Sequence, residues 1–212
     1  MFNLNDNLKN KKFLIYGYGK SGHASYNYLK KNNKISIYDD NKKHKKFSIS
    51  LKKIKLKEFD YIVLSPGIDI NKCKLKNYLK KNRRKIITDL DIFYLNNPNN
   101  LKITITGTNG KSTTAKLLFE ILKDQNKDVK LVGNIGIPIL SKNKIKFSTI
   151  FVIEASSYQI DYSQYFKTDY AFILNISPDH LERHKTIQNY AHAKFKLILK
   201  QKKNFYAFIE NN

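Results

Sequence analysis

The segment LKITITGTNGKSTT, Leu101 to Thr114, sets an apolar run against a turn bracketed by glycines and carrying a lysine and hydroxyls. Leu101 to Thr106 predicts a strand, Gly107 to Ser112 a loop, and Thr113 to Lys123 an amphipathic helix with Leu117, Leu118, Ile121 and Leu122 turned inward. A phosphate tail requires backbone N–H groups aimed inward, a lysine ammonium on the outer phosphates and a hydroxyl beside a magnesium ion. Gly107, Thr108, Asn109, Gly110, Lys111, Ser112 and Thr113 supply that set between a strand and a helix. The common phosphate-loop pattern also has a glycine five residues before Gly110, and that position is Ile105. The simple phosphate-loop label is therefore incomplete, and an ordinary glycine-rich turn is the alternative.

Downstream, strands are expected at Val129 to Val132, Ile150 to Ile153, Ala171 to Leu174 and Phe205 to Ile209, with a helix over Ile187 to Leu199. Glu154 follows the third strand of this unit, where a carboxylate is placed to hold a metal beside a nucleotide. Asp179 and His180 follow the next strand and should share the sheet edge of Lys111 and Glu154. On the 187–199 helix, Ile187, Tyr190, Ala191, Leu197 and Ile198 form one apolar stripe, and Lys194 falls inside it. A lysine on a core-facing stripe is costly unless paired or neutralised. Desolvation makes its amine nucleophilic, so chemical modification is expected there; a snorkelling side chain is the alternative.

Upstream, a similar opening appears. Phe13 to Tyr16 leads into Gly17-Tyr18-Gly19-Lys20-Ser21-Gly22 and a helix-like stretch through Leu29. Strands are expected at Ile35 to Tyr38, ending at Asp39-Asp40, at Tyr61 to Leu64, ending at Ser65-Pro66-Gly67, and at Ile86-Ile87. Glycines 17, 19 and 22 with Asp39 some ~20 residues on satisfy the dinucleotide fingerprint. The same arrangement fits any diphosphate at a helix N-terminus, a nucleotide sugar included, or a purely structural turn. Asn96 to Asn100, polar and broken by Pro98, is the expected linker. The fold class that follows is α/β, with two Rossmann-like or phosphate-loop-type three-layer domains on mostly parallel sheets: 1–95 and 101–212, joined by 96–100. Beyond the two similar openings no internal repeat stands out.

Composition narrows the class. Apolar residues make up 41% of the 212, enough for packed cores. No apolar run approaches the ~20 residues of a membrane span, and the start, MFNLNDNLKN, lacks a signal peptide's apolar stretch. Cys73 is alone, which fits a reducing cytoplasm. The net charge of +23 invites a nucleic-acid reading, yet only Arg83, Arg84 and Arg183 among the 40 basic residues are arginine. Nucleic-acid readers lean on arginine's forked guanidinium. Lysine runs such as Lys42 to Lys46 are read as solvated faces, and neither a nucleic acid nor a membrane is an expected partner.

The segments GYGKSG (17–22), SPG (65–67), GTNGKSTT (107–114), GNIGIP (133–138), EASSYQ (154–159), LNISPDHLERH (174–184) and YAHAKFKLI (190–198) together resemble the Mur ligase family, in order and spacing along almost the whole chain. The resemblance implies an ATP-dependent amide-forming ligase of cell-wall peptidoglycan synthesis, cytoplasmic and monomeric, with UDP-N-acetylmuramoyl-L-alanine and D-glutamate as substrates. It implies that Gly107 to Thr113 hold ATP, that Ser112 and Glu154 ligate one Mg²⁺, and that Glu154, His180 and a carbamylated Lys194 serve a second. Lys111, His180 and Lys194 are the implied catalytic residues. Gly19, Lys20, Ser21, Asp39, Ser65, Gly67, Asn134 and Ser156 are the implied substrate contacts. The family carries a third, amino-acid-binding domain that the 212 residues do not contain, so the chain alone is expected to bind the sugar nucleotide without completing ligation. A nicotinamide-binding module built on Gly17 to Gly22, a phosphate-loop kinase and a non-catalytic nucleotide-binding fragment remain the competing readings.

Overall fold

The computed structural model describes residues 8–41, 48–141 and 144–210, and the lysine run at 42–46 lies outside them. Two parallel sheets alternate with helices. The first holds β1 (Lys12–Tyr16), β2 (Lys34–Tyr38), β3 (Tyr61–Leu64) and β4 (Ile86–Ile87) in the order β2-β1-β3-β4. Its helices are α1 (Lys20–Leu29), α2 (Lys76–Lys81) and α3 (Asp89–Asn96). The second holds β5 (Lys102–Thr106), β6 (Val129–Gly133), β7 (Ile150–Glu154), β8 (Tyr170–Ile173) and β9 (Tyr206–Ile209) in the order β6-β7-β5-β8-β9. Around it lie α4 (Lys111–Asp124), α5 (Ser157–Tyr162), α6 (Leu181–His184) and α7 (Ile187–Leu199). Every named strand pair is parallel, so each crossover returns the chain to the same end and gathers the loops after the strands along one edge.

Central strands are buried on both faces, which is why β1, β5 and β7 read as continuous apolar or small-polar runs. On α4 the structure corrects one expectation. Ala115 is buried and Leu118 and Leu122 pack against the sheet, but Leu117 is 60% exposed and Ile121 45%. Those two lie on the flank turned away from the arc through 115, 118 and 122, and the sheet covers only that arc.

No sequence periodicity marks α3. Leu90, Ile92, Phe93 and Leu95 on it are all buried, so it has no solvent stripe for a periodicity to reveal. They join one apolar cluster with Phe13, Ile15 and Val63 of the first unit and Phe151, Ile153, Ile160 and Phe166 of the second. Phe93 meets Phe151 edge-on at 4.7 Å. The start of α3 is fixed by a reciprocal cap between Thr88 and Asp91. The other oxygen of Asp91 accepts from the backbone N–H of Gln164, Tyr165 and Phe166 and from the Ser163 hydroxyl, at 2.7 to 3.0 Å. One fully buried carboxylate thus joins the two units. The linker is equally tied down: Asn100 donates through Nδ2 to the carbonyls of Lys146 and Thr149, and buried Lys102 donates through Nζ to the carbonyls of Asn100 and Pro98. Among the described residues no helix is long and apolar enough to cross a membrane.

Candidate functional site

Gly110 has φ +79°, a left-handed conformation that turns the chain from β5 into α4 and leaves the helix N-terminus open. The loop is held from behind by Asn175, just past β8. Its Oδ1 accepts from the N–H of Thr108 and Asn109, and its Nδ2 donates to the Asn109 carbonyl. The Thr108 hydroxyl accepts from the Ser177 N–H. Lys111 Nζ folds back onto the Thr108 carbonyl at 2.7 Å, so the ammonium sits over the loop itself. Nothing in sequence marks Asn175 for this role, because its contact depends on β8 lying beside β5.

Glu154, at the C-terminal end of β7 and 1% exposed, joins three segments. One oxygen accepts from the Ser112 hydroxyl at 2.7 Å, the other from Asn134 Nδ2 at 2.9 Å. Both donors are neutral, and two hydrogen bonds leave further lone pairs on the carboxylate.

Lys194 is buried, as its place in the apolar stripe of α7 required. Nζ donates to the Gly107 carbonyl at 2.8 Å and lies 4.4 Å from the centre of the Tyr190 ring. Burial, then the nearby Lys111 ammonium, push its pKa down to about 7. Tyr190 in turn touches Thr108 through its hydroxyl at 3.4 Å. His180 sits in a left-handed turn at the start of α6, half exposed, with its ring near those of Tyr158 and Tyr190. Lys194 and His180 therefore both border the Tyr190 ring, while Glu154 stands with Ser112 and Asn134. Among the described residues no group of three or more His, Cys, Asp or Glu is close enough to hold a metal.

A cleft of about 400 Å³ opens at the C-terminal ends of β1, β2 and β3, and Gly19, Lys20, Ser21, Asp39, Ser65, Gly67 and Asn134 all line it. A Cβ on Gly22 would stand 1.9 Å from the Gly17 carbonyl, so only glycine lets α1 pack this closely on its own loop. Gly19 faces open space, leaving the N-terminus of α1 accessible. Asp39 accepts from the N–H of Tyr18 and of Asn41, fixing the loop from below. Ser156 stands apart from the other expected contacts. Its hydroxyl caps α5 reciprocally with Gln159.

The fold defines a two-unit α/β protein with parallel sheets, a glycine loop after β5 and a cleft at the C-terminal ends of the first-sheet strands. Residues 105–212 match the Mur ligase middle domain. The chain is 36% identical over 210 residues to the UDP-N-acetylmuramoylalanine–D-glutamate ligase of Rickettsia bellii, covering 95% of this chain and 46% of that protein. It is 37% identical over 207 residues to the protein of the same name from Caldicellulosiruptor bescii, covering 90% and 45%. In structure it aligns with UDP-N-acetylmuramate:L-alanyl-gamma-D-glutamyl-meso-diaminopimelate ligase from Neisseria meningitides with a TM-score of 0.56 and 15% identity, over 94% of this chain and 71% of that one, a likeness of fold. The chain belongs to the Mur ligase family, and spans about half the length of the curated relatives it matches.

Proposed function

We propose that this chain is the sugar-nucleotide- and ATP-binding part of a ligase that joins D-glutamate to UDP-N-acetylmuramoyl-L-alanine. The observation that carries the reading is Asn134. It lines the first-unit cleft and donates to Glu154, whose other oxygen holds Ser112 beside the phosphate loop. A substrate carboxylate at the inner end of the cleft and a phosphate tail on the loop would meet there. The relatives named for that reaction support the choice of substrates.

A carboxylate resists acyl transfer, because its charge repels nucleophiles and oxide is a poor leaving group. Transfer of the ATP γ-phosphoryl to the alanyl carboxylate removes both obstacles; the D-glutamate amine then attacks, the amide forms and phosphate departs. With little covalent chemistry for the protein to perform, its share is positioning and charge neutralisation. Lys111 and the loop N–H groups would hold the phosphates, and Asn134 would orient the acyl end.

Magnesium fits the donor set, since the Ser112 hydroxyl and the Glu154 carboxylate are hard oxygen ligands in contact beside the loop. When bound it would neutralise charge on the phosphate tail. For a second ion, Lys194 carries the missing ligand in latent form. Its amine, whose pKa burial lowers to about 7, can in the neutral form add to CO₂ with loss of one proton, giving an anionic carbamate that Glu154 and His180 would complement.

Titrating the chain with UDP-N-acetylmuramoyl-L-alanine and, separately, with NADH tests the reading. Saturable binding of the sugar nucleotide with none of NADH is expected. Tight NADH binding with no sugar-nucleotide binding would transfer the cleft to the dinucleotide class.

A further inference from the structure

The chain has three arginines among its 40 basic residues, and Arg183 makes contacts a lysine could not reproduce. It sits on α6, three residues after His180. Its Nη1 donates to the Pro66 carbonyl at 2.5 Å and its Nη2 to the Ile68 carbonyl at 2.8 Å, both across the boundary between the units. The guanidinium carbon lies 3.9 Å from the centre of the Tyr158 ring, on α5 after Glu154, and 5.1 Å from that of Tyr162. Two aromatic rings of the second unit thus flank the fork while it grips a turn of the first.

That turn is one wall of the cleft: Ser65, Pro66, Gly67 and Ile68 all line it. From the inner side it is tied to the glycine loop, Ser65 Oγ donating to the Gly17 carbonyl at 2.7 Å. From the outer side two links cross from the second unit, the Arg183 fork and a 3.4 Å contact from the Ile70 N–H to the Tyr162 hydroxyl. A charge-assisted, two-pronged donor is the stronger and more directional of these. We infer that Arg183 is a positioning residue for the sugar-nucleotide cleft: from the second unit it fixes the Ser65–Ile68 turn, so the cleft keeps its binding shape only while the two units are clamped together. This role rests on the reading of the cleft as a sugar-nucleotide site. It also gives the two ligand sites a physical connection, since the arginine lies on α6, the short helix that His180 begins.

Dissociation constants for UDP-N-acetylmuramoyl-L-alanine and for ADP, measured on the unaltered chain, Arg183→Lys and Arg183→Ala, test it. Amide hydrogen exchange at residues 67–70 is followed in the same proteins without ligand. Lysine keeps the charge but lacks the planar guanidinium, whose two nitrogens reach the two carbonyls while its face packs on the Tyr158 ring. R183K should therefore bind the sugar nucleotide about tenfold more weakly or worse, as expected for losing a charge-assisted hydrogen bond. Exchange at 67–70 should quicken, while ADP affinity and thermal midpoint hold. Equal sugar-nucleotide affinity in R183K and the unaltered chain overturns the role alone, and so does a loss that falls equally on ADP. No sugar-nucleotide binding by the unaltered chain overturns the functional reading and this role with it.

Discussion

Two buried lysines show how differently one side chain can be used. Lys194 ends beside Lys111 and the Gly107 carbonyl at the glycine loop, where the proposed function would use its neutral amine. Lys102 ends at the opposite end of its strand, holding the carbonyls of Asn100 and Pro98 and facing the Tyr94 ring. Its role is to close the linker onto the sheet. Burial pushes the Lys102 pKa down to about 8, with Asp169 opposing and Lys202 adding to the shift. Above that value the folded chain has released a proton that the unfolded chain keeps until the ordinary lysine range. Stability contributed at this site therefore rises with pH from about 8 to about 10 and is lost as pH falls back through 8. Urea unfolding at pH 7 and pH 9.5 should show the unaltered chain gaining about 2 kcal/mol relative to Lys102→Met over that interval. A constant difference between the two proteins would show that the ammonium is not desolvated. Lys194 was legible in sequence because a charge interrupting an apolar stripe is conspicuous. Lys102 was not, because alternation in a strand does not reveal that both faces are covered.

Among the elements, α3 does most to make two units into one body. Most of it is buried, and it carries Asp91, whose carboxylate serves its own cap and the 163–166 turn of the second unit. Asp91→Ala leaves those N–H groups and hydroxyls buried without an acceptor. A loss on the order of 3 kcal/mol is expected, read as a lower urea midpoint with both units still unfolding together. Two separated transitions in the unaltered chain would contradict the shared core. The sequence signal for α3 was present in Thr88 and Asp91, spaced as a reciprocal cap, but a helix buried over most of its surface offers no period to confirm it. The same limit explains Leu117 and Ile121. Apolar residues on a helix mark a stripe, and only the partner decides how wide an arc is covered. The strands were the easier case, since short apolar runs ending in glycine or acidic loops have few other uses in an alternating α/β chain.

At the scale of the whole molecule, parallel topology brings residues far apart in sequence to one edge, and this is what the motifs encode. Lys111, Ser112 and Glu154 could be placed there because each follows a strand of the same sheet. Asn175 and Arg183 could not be assigned, since one needs the strand order and the other the packing of two sheets. Central to the proposed function is a Ser112–Glu154 pair that accepts a magnesium-bound phosphate tail. Calorimetric titration of ADP, with magnesium and with EDTA, into the unaltered chain and Glu154→Gln tests this most directly. Magnesium should tighten ADP binding to the unaltered chain by about tenfold or more, and should have little effect on Glu154→Gln. ADP binding that ignores magnesium in both proteins would contradict it.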